Sequence, residues 1–166
     1  MSVTEHKNQL VQVNVMVLTI SDTRTITNDK SGQQMIALLE QNGHRVVGYE
    51  IVKDEQSFIE QAIRKGCDNA QIQAVLINGG TGVAKRDVTF DLLQTLIEKP
   101  IPGFGELFRM LSYEEIGSAA MLSRATAGIT QQTVIFSTPG STNAVTLAME
   151  KLILPELSHI MHELHK

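Results

Sequence analysis

The residues of this chain whose types and spacing could do chemistry are a run of glycines and two aspartates. Asn78-Gly79-Gly80-Thr81-Gly82 places three glycines in four consecutive positions. That removes every Cβ but one, so backbone N–H groups can close on an anion. A helix starting just after the run would turn its positive end toward the same place. The run is not a Walker loop, because Lys85 is followed by Arg86 and the glycine spacing is absent. Nor is it a Gly-x-Gly-x-x-Gly dinucleotide fingerprint. Taken alone, it also suits an ordinary strand-to-helix turn.

Arg86-Asp87-Val88-Thr89 follows the glycines. Asp87 is placed either to cap the next helix or to offer a hard oxygen ligand to a metal–phosphate group. Asp54, in Val52-Lys53-Asp54-Glu55, reads locally as an N-cap. Pro139-Gly140-Ser141 reads as a helix start or as a second anion site built from free N–H groups and the Ser141 hydroxyl. His159, His162 and His165 recur every three residues, as in a solvated helical tail rather than a His-Glu-x-x-His zinc motif. Cys67, the single cysteine, has no second cysteine to pair with and reads as inert.

The elements that position these residues follow from the apolar pattern. Val13 to Ile20 is nearly all apolar and β-branched, which suits a strand buried on both faces of a parallel sheet. Arg45 to Val52, Ala74 to Ile77 and Thr133 to Ser137 read as further strands. Between them come helical spacings: Met35, Ile36, Leu38 and Leu39, stopped by Asn42-Gly43; Phe58, Ile59, Ala62 and Ile63; Phe90 to Ile97, closed by Pro100; and Asn143 to Leu154. Strand–helix alternation predicts an α/β domain with a mostly parallel sheet covered on both faces. Ser21-Asp22, Asn78 to Gly82 and Thr138 to Ser141 are then expected on one rim, outside the carboxyl ends of the strands, where such folds bind ligands.

Composition narrows the classes. The 166 residues carry 14 Lys and Arg against 18 Asp and Glu, a net charge of −4, which argues against holding a polyanionic nucleic acid by bulk charge. With 42% hydrophobic and 19% charged residues the chain has the composition of a folded protein. The polar opening residues and the lack of a long apolar run give the expectation of a cytoplasmic protein without a membrane span. Residues 1–12 are expected to be a flexible segment ahead of one domain, 13–166. An apolar stretch around Phe104, Leu107, Phe108 and Met110 is more than a small domain is expected to cover alone.

Thr19-Ile20-Ser21-Asp22, Gly79-Gly80-Thr81-Gly82 with Arg86-Asp87-Val88-Thr89, Ile101-Pro102-Gly103-Phe104-Gly105-Glu106, Leu122-Ser123-Arg124-Ala125 and Thr138-Pro139-Gly140-Ser141 occur in this order across residues 19 to 141. Together they resemble the MoaB/Mog family of molybdenum cofactor biosynthesis proteins. The short segment after Ser141 is similar to the family's shorter members. The resemblance implies a three-layer α/β/α sandwich with 13–166 as a molybdopterin-binding domain, assembled as a homotrimer or homohexamer and working beside other molybdenum cofactor enzymes. It implies Mg²⁺-dependent adenylylation of molybdopterin by ATP, with a non-catalytic molybdopterin carrier as the alternative.

By the same resemblance Asp54 and Asp87 are the essential acids, with Asp87 a Mg²⁺ ligand. Ser21, Gly79, Gly80, Thr81, Gly82, Pro139, Gly140 and Ser141 are nucleotide or phosphate contacts, and Thr89, Glu106, Ser123 and Arg124 lie on the molybdopterin side. Such chemistry needs no strong general base, because the attacking phosphate is already ionised; it needs positioning and charge stabilisation.

Overall fold

A computed structural model of the chain describes the backbone of residues 2–8 and 11–166 and the side chains of 2–5 and 11–166. In chain order the elements are α1 Val3–Asn8, β1 Asn14–Ile20, α2 Lys30–Gln41, β2 Arg45–Val52, α3 Gln56–Asp68 and β3 Ala74–Asn78. They continue with α4 Thr89–Leu96, β4 Lys99–Pro100, α5 Pro102–Ile116, a 3₁₀ segment Gly117–Leu122, β5 Thr126–Thr130 and β6 Thr133–Thr138. The last elements are α6 Thr142–Ala148, a π-helical turn Met149–Ile153 and α7 Leu154–Leu164. Of the N-terminal segment 1–12, Met1, Gln9 and Leu10 lie outside the described residues, and α1 packs against α7.

The described strands form a six-stranded mixed sheet in the order β2-β1-β3-β6-β5-β4. β2, β1, β3 and β6 run parallel, whereas β5 and β4 are antiparallel additions at one edge. Period-two alternation divides the central strands between two cores. Val15, Val17, Leu76, Val134 and Phe136 face α2, α5, α6 and α7, where Met35, Leu39, Phe108, Val145 and Met161 cover them. Met16, Leu18, Val75, Ile77 and Ile135 face α3 and α4, against Ile59, Ile63, Leu92 and Leu93. Each strand therefore needs apolar residues at every position, which is why the runs are continuous. The result is three layers, α/β/α.

Two expectations are corrected. Phe104 and Phe108 are not surface residues: they are 5% and 1% exposed and pack into the core with Phe136, which meets the Phe104 ring edge-on at 5.0 Å. The exposed apolar side chains of α5 are instead Leu107, Met110, Tyr113 and Ile116. The C-terminal tail is not a solvated helix either. α7 buries Leu157 and Met161, and His159 Nδ1 lies 2.9 Å from Glu156, so the histidine spacing belongs to an amphipathic helix on the core. The helix expected over Asn143 to Leu154 begins at Thr142, passes through the π turn and continues as α7 to Leu164.

Candidate functional site

Because β1, β2, β3 and β6 are parallel, their carboxyl ends share one rim. Ser21, Lys53-Asp54, Gly79 and Pro139 all start turns there. β1 sits between β2 and β3, so the strand order reverses there, the point at which open α/β sheets characteristically place a ligand crevice.

The glycine turn adopts a conformation that glycine favours. Gly79 and Gly80 have φ of 107° and 71°. A Cβ on Gly79 would overlap the Ile20 carbonyl, and one on Gly80 would overlap the Thr89 hydroxyl. Two clamps hold the turn in place. Gly79 N–H donates to Thr138 O at 2.9 Å, joining it to the β6 turn. Arg124 N–H donates to Thr81 O at 2.8 Å, while its guanidinium donates from Nε to Gly82 O at 3.0 Å and from Nη2 to Asp87 O at 2.6 Å. Arg124 Nη1 also pairs with Asp91, and the guanidinium lies 5.2 Å from the Phe90 ring centroid. Its donors are thus directed at the loop it supports.

Asp87 does not cap α4. The N-cap position is Val88, without a side-chain bond, and Asp87 Oδ2 accepts from Ala84 N–H at 3.0 Å inside the loop. Asp54 does not cap α3 either, since Glu55 occupies that position, also without a side-chain bond. Asp54 N–H donates to Asp22 Oδ1 at 3.0 Å, and Asp22 forms an ion pair with Arg86. Asp54 Oδ1 is buried and has no partner within the protein. Burial, and then the negative charge of Asp87, push the Asp54 carboxyl above its ordinary range. Two carboxylates from different strand ends therefore lie near enough at the rim for the charge of one to act on the other, and neither is used for helix capping.

Asp87 lines an open groove of about 350 Å³. Gly80, Thr81, Gly82, Asp87, Ser123, Pro139, Gly140 and Ser141 line it on the loop side. Phe108, Ser112 and Ile116 form the other wall, spaced by four residues along one face of α5. Loop amides with a carboxylate on one side, and aliphatic carbon of Ile116 and Ala144 on the other, suit a phosphorylated ligand with a flat ring.

The structure gathers most of the expected residues at this rim. Ser141 lines the groove while its Oγ caps α6 by accepting from Ala144 N–H. Ser21 sits at the end of β1, its Oγ accepting from the N–H groups of Thr23 and Arg24 at 3.2 and 3.1 Å. Thr89 is fully buried under Gly80, its hydroxyl without a partner. Glu106 is exposed on α5 and does not line the groove.

Several participants escape sequence reasoning. Ser112 and Ile116 had a usable signal in their spacing from Phe108. Arg24 and the fully buried Asp29 had only an N-cap pattern at Asp29, which accepts from Gly32 N–H at 3.1 Å, Thr19 Oγ1 at 2.7 Å and Tyr49 OH at 2.6 Å. Burial and the bond to Asp29 raise the Tyr49 pKa, so it remains a donor.

The family described as "Probable molybdopterin binding domain" matches residues 16–159. "Molybdenum cofactor biosynthesis protein B" of Bacillus subtilis (strain 168) is 56% identical over 168 residues, covering 100% of this chain and 99% of that protein. A crystal structure of a "Molybdenum cofactor biosynthesis protein B" superposes with a TM-score of 0.91 at 56% identity, over 93% of this chain and 97% of that one. The "tungsten cofactor synthesizing protein MoaB" of Pyrococcus furiosus gives 0.84 at 36% identity, over 93% and 98%. Both the fold and the order of its motifs agree with these relatives: the chain belongs to the MoaB/Mog family of molybdenum cofactor biosynthesis proteins.

Proposed function

We propose that this protein acts in molybdenum cofactor biosynthesis by transferring AMP from ATP to the terminal phosphate of molybdopterin. An oxygen of that phosphate bonds to the α-phosphorus of ATP. The bond from that phosphorus to the bridging oxygen breaks, and pyrophosphate leaves with the electron pair. One observation carries the reading: Asp87 lines a glycine-walled groove without capping a helix, and Asp54, which also caps none, ends the neighbouring rim turn close enough to feel its charge.

The difficulty of this reaction is the gathering of negative charge, not proton removal. The amides of Gly80 to Gly82 and of Ser141 bind phosphate oxygens, the Gly79 N–H being already given to Thr138 O, and the two positive-φ glycines keep side chains out of their way. Ile116 and Ala144 offer an apolar wall to the ring system. The carboxylate pair fits a hard divalent cation, which needs only one or two protein carboxylates when substrate phosphates supply the remaining oxygens. Asp87 and the partnerless Asp54 Oδ1 are the atoms that would hold Mg²⁺. When bound, the ion offsets charge on the phosphates and favours the leaving pyrophosphate. Among the described residues no three His, Cys, Asp or Glu side chains cluster as a closed metal cage, in keeping with a site completed by substrate.

The exposed stripe Leu107, Met110, Tyr113 and Ile116 on α5 is the face through which copies of the chain assemble into a trimer or hexamer in this reading. Among the described residues no helix is long and apolar enough to cross a membrane. The deciding experiment incubates the protein with molybdopterin, ATP and Mg²⁺. Equal amounts of adenylylated molybdopterin and pyrophosphate are expected. Tight molybdopterin binding with no pyrophosphate released would make the protein a carrier instead.

A further inference from the structure

Arg24 lies in the turn after β1 and takes no part in the proposed chemistry above. Its side chain is 30% exposed, and its fork reaches three acceptors. Nη1 donates to Asp29 Oδ1 at 3.4 Å and to Asn78 Oδ1 at 3.2 Å, and Nη2 donates to the Gly140 carbonyl at 2.7 Å. The Ser31 hydroxyl donates to the same carbonyl at 2.6 Å. A carbonyl oxygen has two lone pairs, so Gly140 O is fully used by these two donors. The anchor beneath them is rigid, because Asp29 is fully buried and is also held by Thr19, Tyr49 and Gly32.

This grip has a geometric consequence one bond further on. The peptide between Gly140 and Ser141 is trans, so its N–H points opposite to its C=O. Gly140 and Ser141 line the groove, whereas Arg24 and Ser31 do not. Pulling the carbonyl toward Arg24 and Ser31 turns an acceptor that would repel phosphate away from the ligand, and leaves the Ser141 N–H facing it. Gly140 is also seated on Gly79, where a Cβ would stand 3.4 Å from the Gly79 Cα, so the two glycine turns are joined at this peptide.

We infer that Arg24 is a positioning residue: through the Gly140 carbonyl, and with Ser31 as second donor, it holds the Ser141 amide ready to donate to a phosphate oxygen of the nucleotide. The inference rests on the reading of the groove as the ATP site. Lysine would not replace Arg24, because it keeps the charge but lacks the planar fork that serves three acceptors at once. The cost of mis-setting the amide is that of one hydrogen bond to a charged oxygen, about 10- to 100-fold in affinity.

The test titrates ATP, and separately inorganic pyrophosphate, into wild type, Arg24→Lys and Ser31→Ala, following heat and the ¹⁵N–¹H signal of Ser141. In wild type the Ser141 amide proton moves downfield as ligand saturates. In Arg24→Lys the dissociation constant rises at least about tenfold and that signal no longer moves, while Gly80 and Gly82 still respond. Ser31→Ala shows a smaller change in the same direction and carries the test alone if Arg24→Lys fails to fold. Unchanged affinity with a Ser141 signal that still moves, in a folded variant, would overturn the inference and spare the nucleotide reading. Wild type binding pyrophosphate but not ATP would overturn the nucleotide reading, and the Ser141 response to pyrophosphate would then decide the positioning role. Wild type binding neither would overturn both.

Discussion

Replacing Asp87 with Asn removes one negative charge from the rim and very little else. The bond that Asp87 Oδ2 accepts from Ala84 N–H can be accepted by the Asn carbonyl. No helix cap is lost, since Val88 holds that position on α4. The Arg124 clamp is also spared, because it reaches Asp87 through the main-chain carbonyl. Exchanging a charged acceptor for a neutral one should cost at most about 1 kcal/mol, which for a domain of this size is a fall of roughly 2–4 °C in Tm. Catalysis should suffer far more. Losing one preorganised electrostatic contact at a reacting phosphate typically costs about 10²–10³-fold in rate. A second effect follows from the pair itself: the Asp87 charge is one of the two causes that raise the Asp54 pKa, so in Asp87→Asn the Asp54 carboxyl should titrate at lower pH. The assay is pyrophosphate release at saturating ATP, molybdopterin and Mg²⁺, with Tm measured on the same preparations. A wild-type rate in folded Asp87→Asn would refute the metal–phosphate role.

Three further outcomes are expected. Gly80→Ala should lose about 1–3 kcal/mol, because φ is 71° and the new methyl meets the Thr89 hydroxyl; adding Thr89→Ala should restore only the steric part, as thermal melts would show. His44 is buried, and its Nδ1 accepts from Val13 N–H at 3.1 Å, so burial holds its pKa below the ordinary 6.5. Its contribution is therefore complete above pH 6.5 and falls as pH drops below it, and wild type should lose more Tm than His44→Gln between pH 7 and 5. Met110→Glu places a charge on the exposed α5 stripe and should yield the 18.3 kDa single chain by light scattering; an unaltered assembly would remove that face from the interface.

Much of the fold was legible before any coordinates. Val15 to Leu18, Ala74 to Ile77 and Val134 to Phe136 are apolar at every position, as a strand buried on both faces requires. The antiparallel edge was not legible. Lys99-Pro100 is too short to show a period, and Thr126-Ala127-Gly128-Ile129-Thr130 alternates weakly around a glycine. Their place was decided by β5 pairing with β6 and β4 with β5, and the proline is tolerated because an edge strand leaves an unpaired side.

The site divides in the same way. Local sequence determined the glycine turn, the Pro-Gly-Ser turn and the acids near them, because loop conformation and helix starts depend on neighbouring residues and leave a local mark. Tertiary structure decided what those acids do. Asp54 and Asp87 each follow the pattern of a helix cap, and only the packed sheet brings them within range of one another and leaves the caps to Glu55 and Val88. It also gave Arg124 the task of gripping the carbonyls of Gly82 and Asp87, and Arg24 that of gripping Gly140. Every residue has a backbone carbonyl, so a side chain that recognises one leaves no pattern in the chain; the partner is chosen by parallel strands that carry distant turns to a common rim.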